Sequence, residues 1–87
     1  MNKINSLKKK IKYRSEYRGI KEMDLLLSKF VNKYIDTFSY EELIDLYEIL
    51  EKDDDIIFKW YFNNKKVDNS LPKNKVANLL RKFKFKI

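Results

Sequence analysis

The chain has 87 residues, 44% of them hydrophobic, with 20 Lys+Arg against 13 Asp+Glu for a formal net charge of +7. A chain of that length supports one small core and excludes two domains. It has no Cys, no His, one Gly and one Pro, which removes disulfide frameworks, the usual zinc sites, imidazole bases and thiolate nucleophiles, and leaves few tight turns for a β-sandwich or barrel. The expectation is helices joined by short polar loops, in a chain that binds rather than catalyses.

Ile4, Leu7 and Ile11, followed by Arg14, recur at helical spacing and predict a first helix over Ile4 to Tyr17 with a thin apolar stripe and lysines facing solvent. Gly19, the only Gly, follows it. Gly after a helix supplies a left-handed position from which the chain reverses, so a tight junction belongs here. From Ile20, the residues Met23, Leu26, Leu27, Phe30, Val31 and Tyr34 form the strongest amphipathic stripe in the chain, running to about Asp36. Ser39 followed by Glu42 is a capping box, and Phe38 with Leu43 stand at the two positions of a hydrophobic staple. They open a third helix whose core face is Leu43, Leu46, Tyr47 and Leu50.

Asp53, Asp54 and Asp55 precede Ile56, Ile57, Phe58, Trp60, Tyr61 and Phe62. Carboxylates suit a helix start, so this reads as a capped fourth helix, apolar nearly all round and therefore enclosed by neighbours or set partly in an interface. Trp60 and its aromatic neighbours read as core, with a partner anchor as the other reading. A metal site on the three Asp would need more oxygen ligands than the run supplies. A polar stretch, Asn63 to Ser70, leads to a last helix starting near Ser70 or Pro72, with Val76, Leu79, Leu80 and Phe83 on one face and a tail from Lys84 to Ile87. The predicted fold is all-α: one domain, a compact bundle of about five short helices.

The charge is divided by segment. Residues 1–21 carry +7, residues 22–62 carry −7 and residues 63–87 carry +7, and charges separated by more than about 8 Å are largely screened from one another at physiological salt. Lys outnumbers Arg 17 to 3, and Lys, Ile and Asn make 34 of the 87 residues. An AT-rich coding sequence would impose that bias regardless of function. The longest apolar runs, such as Leu25 to Leu27 and Trp60 to Phe62, span three residues, against the roughly 20 that cross a bilayer. No membrane insertion is expected, and no apolar region follows the Lys-rich N-terminus to make a signal peptide.

One stretch departs from generic helix surface: Tyr13-Arg14-Ser15-Glu16-Tyr17-Arg18-Gly19-Ile20-Lys21-Glu22-Met23-Asp24. It places a guanidinium, a bare backbone and a carboxylate together where two helices meet. Arg18 and Glu22, four apart, could instead form an ordinary helical ion pair, although base before acid is the weaker order for one.

Arg18-Gly19-Ile20-Lys21-Glu22-Met23-Asp24 resembles the RGxxExD signature of the SdhE family, the FAD assembly factors of succinate dehydrogenase. Leu50-Glu51-Lys52-Asp53-Asp54-Asp55-Ile56-Ile57-Phe58-Lys59-Trp60 resembles that family's L-x-x-D-D-x-x-[LI]-[FL]-x-W block. The likeness covers roughly residues 11–63, while the C-terminal helix, about 70–84, matches only in being helical. The resemblance implies a five-helix protein that binds the flavoprotein subunit of succinate dehydrogenase, and in some bacteria fumarate reductase; a monomer when free is the expectation. It implies promotion of covalent FAD attachment to a His of the client, with no FAD held stably by the chain itself and no catalytic residue on it. By the same likeness Arg18, Gly19 and Glu22 form the client-binding surface, and Asp24, Asp53 and Asp54 support or extend it. Because the matching region starts close to Met1, with no room for a mitochondrial presequence, a bacterial cytoplasmic location is expected. The rival reading is a small nucleic-acid-binding protein using its Lys-rich ends. An enzyme acting through Glu22, Asp24 and a neighbouring Asp would lack an evident substrate pocket.

Overall fold

The computed structural model describes residues 3–16, 18–62 and 71–84. Among these are five α-helices and no strand: α1 (Lys3–Ser15), α2 (Lys21–Tyr34), α3 (Tyr40–Leu50), α4 (Asp54–Phe62) and α5 (Lys75–Lys82), with a 3-10 turn at Ile35–Thr37 after α2. The all-α bundle expected from periodicity is the fold observed. Helix α1 packs on α2 and α3, α3 also packs on α5, and α2 touches α4.

Helix α2 is the spine. Met23, Leu26, Leu27, Phe30 and Val31 are all fully buried, and a Leu, Val, Met or Phe so buried contributes about 1.5–3 kcal/mol. The helix stops two residues short of the expected Asp36, because the chain tightens into the 3-10 turn, where the Thr37 hydroxyl donates to the Tyr34 carbonyl at 2.7 Å. At this end Tyr34 and Phe38 stack with ring centroids 6.0 Å apart, and Phe83 meets Phe30 edge-on at 5.4 Å. These rings tie α2 to the approach to α3 and to the residue after α5.

Helix α1 ends at Ser15, and Tyr17, its expected last residue, lies outside the described residues. The ending has a local cause: the Ser15 hydroxyl donates to the Lys12 carbonyl at 2.8 Å, and the Glu16 N–H reaches only back to Tyr13, at 3.2 Å. Ile11 and Ser15, one turn apart, are buried, whereas Ile4 and Arg14 are exposed. The α1 stripe is thus narrower and rotated slightly from the expected one.

In α3 the capping box forms as predicted: the Glu42 N–H donates to Ser39 Oγ at 3.2 Å and the Ser39 N–H donates to Glu42 Oε1 at 2.8 Å. Its core face differs from the expected one. Ile49 is buried along with Leu43, Leu46 and Leu50, while Tyr47 is only half-buried. Helix α3 lies between α1 and α5, so it needs a broader apolar face than a single stripe supplies.

Helix α5 starts later than expected. The expected connection Asn63–Ser70 lies outside the described residues, as do residues 85–87 of the tail, and Asn74 rather than Ser70 or Pro72 sets the start. The Asn74 side chain accepts from the Ala77 N–H at 2.8 Å, the bond of an N-cap. Leu71, outside any helix, is buried against the core with Val76, Ala77 and Leu80. Helix α4 is only partly enclosed by the described residues. Ile57 and Trp60 are buried, but Phe58 and Phe62 are 36% and 44% exposed. The Arg81 guanidinium lies over the Trp60 ring, 4.5 Å from its centroid, and fixes the inner side of the helix.

Candidate functional site

The two sequence blocks singled out above meet at one corner of the bundle. There the C-terminal ends of α1 and α3 approach the N-terminal ends of α2 and α4. Helix C-termini leave carbonyls without partners and carry partial negative charge, and N-termini carry the opposite charge. Arg18 answers the first need. Its Nη1 donates to the carbonyls of Arg14, in the last turn of α1, and Leu50, at the end of α3, both at 2.8 Å. Its Nη2 donates to the Lys52 carbonyl at 2.7 Å, and its Nε to Asp54 Oδ1 at 2.6 Å. One guanidinium therefore caps two helices and binds a carboxylate in the first turn of a third.

Asp24 answers the second need. In the first turn of α2 it accepts from the backbone N–H of Arg18 at 2.6 Å, so the residue just before Gly19 is held at both its side chain and its backbone. Ile20, at the N-cap position of α2, offers no side-chain cap. The Arg18 side chain is 9% exposed and that of Asp54 19%. Gly19 has φ of +91°, the left-handed conformation expected of it. A Cβ at Gly19 would sit 3.9 Å from Asp54 Oδ2, an ordinary contact. The demand for glycine at this position is therefore conformational and not a matter of space.

All six candidate residues lie at this corner, but they divide into two groups. Arg18, Asp24 and Asp54 are turned onto one another. Gly19, Glu22 and Asp53 are exposed, and the Glu22 and Asp53 carboxylates have no hydrogen-bond or ion-pair partner among the described residues. The ordinary Arg18–Glu22 helical pair does not form. Gly19 turns the backbone between them, and α2 begins only at Lys21, so Arg18 is outside the helix on which the spacing of four would bring them together. Asp53 accepts the first helical N–H bonds of α4 through its carbonyl, from Ile56 and Ile57 at 3.1 Å, and not through its carboxylate. The expected carboxylate cap of α4 is replaced by the tie from Asp54 to Arg18.

Two further residues at the corner were not among the candidates. Arg14 Nη2 bonds Glu51 Oε2 at 2.9 Å, and the Arg14 guanidinium lies 5.8 Å from the Tyr47 ring centroid. Their separation of 37 residues leaves no local signal of the pairing. Arg14 and Glu51 line an open cleft of about 280 Å³ together with Tyr13, Arg18, Asp53 and Asp54.

The corner does not have the Gly-rich turn that brings backbone N–H groups onto phosphates at a helix start: its single Gly is followed by Glu22 and Asp24 in the first turn of α2. No group of three or more acidic residues is placed to hold a metal among the described residues.

The fold and this corner define a class: small all-α proteins in which ordered polar groups brace an exposed surface where four helix ends meet. More narrowly, the chain belongs to the family described as "Flavinator of succinate dehydrogenase", whose profile matches residues 9–84 and so takes in α5 as well as the two motif blocks. It is 35% identical over 76 residues to the FAD assembly factor SdhE of Acetobacter pasteurianus, covering 87% of this chain and 66% of that one. It is 36% identical over 78 residues to the mitochondrial succinate dehydrogenase assembly factor 2 of Debaryomyces hansenii, covering 90% and 55%. Against the Dictyostelium discoideum protein of the same name the figures are 34% over 67 residues, 77% and 48%. The chain thus spans between 48% and 66% of the length of these relatives.

Proposed function

We propose that this chain binds the flavoprotein subunit of succinate dehydrogenase and promotes the covalent attachment of FAD to a His of that subunit. The observation that carries the reading is the meeting of the two family-like blocks at one corner, joined by the 2.6 Å bond from Arg18 to Asp54, in a chain that the family profile matches over 9–84. The bond-forming groups belong to the client. This chain acts by holding the client in the arrangement from which flavin and His react, a contribution of orientation rather than of acid, base or nucleophile.

We assign the roles from the division of the corner. Gly19, Glu22 and Asp53 face the client, while Arg18, Asp24 and Asp54 fix the backbone on which those residues stand. Glu22 is the cleanest probe, since its carboxylate is exposed and makes no bond among the described residues. The test is co-expression of the flavoprotein subunit with and without this chain, followed by in-gel flavin fluorescence after denaturation. Stronger labelling with the chain, lost with Glu22→Ala, supports the reading, and equal labelling in the presence and absence of the chain overturns it. The same comparison with a fumarate reductase flavoprotein tests the wider client range.

A further inference from the structure

Helix α4 carries an aromatic face that the described residues leave exposed. Phe58 and Phe62, one turn apart, are 36% and 44% exposed and lie in contact, ring centroids 4.6 Å apart. Tyr61 meets Phe62 edge-on at 4.8 Å. The inner side of the helix is already filled by Ile57 and Trp60, with Arg81 over the indole and its Nη2 donating to the Trp60 carbonyl at 3.2 Å. Helix α4 therefore cannot turn to bury the pair without surrendering Ile57 and Trp60. Paired exposed aromatics on a rigid helix suit an interface anchor, since ordering them on binding costs little entropy and their burial is worth a great deal.

The position of the pair indicates the occupant. Phe58 and Phe62 are one and two turns beyond Asp54, the residue through which α4 is bonded to Arg18. With 3.6 residues per turn, Asp54, Phe58 and Phe62 follow one edge of the helix. The aromatic pair thus extends from the corner along the outer edge of α4. Exposed acids at the corner and exposed rings farther along α4 together supply the polar and apolar groups that a protein interface combines. We propose that Phe58 and Phe62 are the apolar anchor of the same client contact, so that the flavoprotein subunit covers the corner and the outer edge of α4 together. This rests on the reading of the corner as the client-binding site.

The experiment measures binding of the purified full chain to the flavoprotein subunit by titration calorimetry, for wild type, Glu22→Ala and the double variant Phe58→Asp/Phe62→Asp. Sedimentation and thermal melts are run on each. The expected result is wild-type binding weakened at least tenfold in the double variant, with the melt and the sedimentation coefficient unchanged. Wild-type affinity in a folded double variant overturns the anchor and leaves the corner reading standing. No binding by wild type overturns both. Self-association of wild type, abolished by the double variant while client affinity is unchanged, identifies a second copy as the occupant and overturns the proposal. If the double variant does not fold, a photo-crosslinking phenylalanine at position 62 decides the matter, compared with one at Tyr40, which is 42% exposed at the opposite end of α3. Crosslinking to the client from 62 and not from 40 supports the anchor, and no crosslink from 62 overturns it.

Discussion

Arg18 shows how one side chain can set the shape of a site without being its outward face. Its guanidinium serves three carbonyls and one carboxylate, and removing it would leave those acceptors and the Asp54 charge partly buried without a partner. Breaking such a pair costs about 3 kcal/mol or more. We expect Arg18→Ala to lower stability by roughly that amount in urea unfolding, and Asp54→Asn, which keeps an acceptor for Nε, to cost less. An unchanged midpoint for Arg18→Ala would show that the bonds do not hold the corner. Gly19→Ala should cost about 1–2 kcal/mol through its left-handed backbone alone, since the added methyl meets nothing closer than 3.9 Å. The Arg-Gly-x-x-Glu spacing is legible in the sequence, but the partner of Arg18 is not. Asp54 is 36 residues away, and the nearer carboxylate at Glu22 is removed from reach by the turn at Gly19.

At the scale of elements, the features legible in the sequence are those fixed within one helical turn. The Ser39 and Glu42 box, the α2 stripe and the turn at Gly19 depend on neighbours three or four residues apart, and each forms as its spacing requires. What escaped depends on tertiary surroundings. Ile49 is buried because α3 packs on both α1 and α5, and Phe58 and Phe62 are exposed because α2 and Arg81 meet the other face of α4, the one that carries Ile57 and Trp60. The capping box also makes a pH prediction. The Ser39 N–H, and after it the Lys75 ammonium at 3.5 Å, hold the Glu42 carboxyl below its ordinary value of 4.5. A folded-state value below the unfolded one adds stability above the unfolded pKa and loses it as pH falls through the folded one. Stability should therefore drop below about pH 4.5, and the drop should be shallower in Glu42→Gln, as followed by thermal melts from pH 7 to pH 3. Ser39→Ala should cost about 1 kcal/mol at pH 7.

Across the whole molecule, the alternation of basic, acidic and basic segments becomes contact between opposite charges. Lys8 meets Asp36 at 3.0 Å, Arg14 meets Glu51 and Arg18 meets Asp54, so the basic first segment lies against the acidic middle one at three places. Lys75, from the basic last segment, reaches Glu42. The net charge of +7 therefore overstates the cation surface available to phosphates. We expect no shift of DNA or RNA by this chain at about 50 mM salt, where a protein making several phosphate contacts would bind measurably. A salt-sensitive shift would restore the nucleic-acid reading.

The most direct measurement is covalent flavin on the client. With the flavoprotein subunit of succinate dehydrogenase co-expressed alone, with this chain, and with its Glu22→Ala variant of unchanged melting temperature, fluorescence in denaturing gels should be strong only with the wild-type chain. Equal fluorescence in all three would contradict the account.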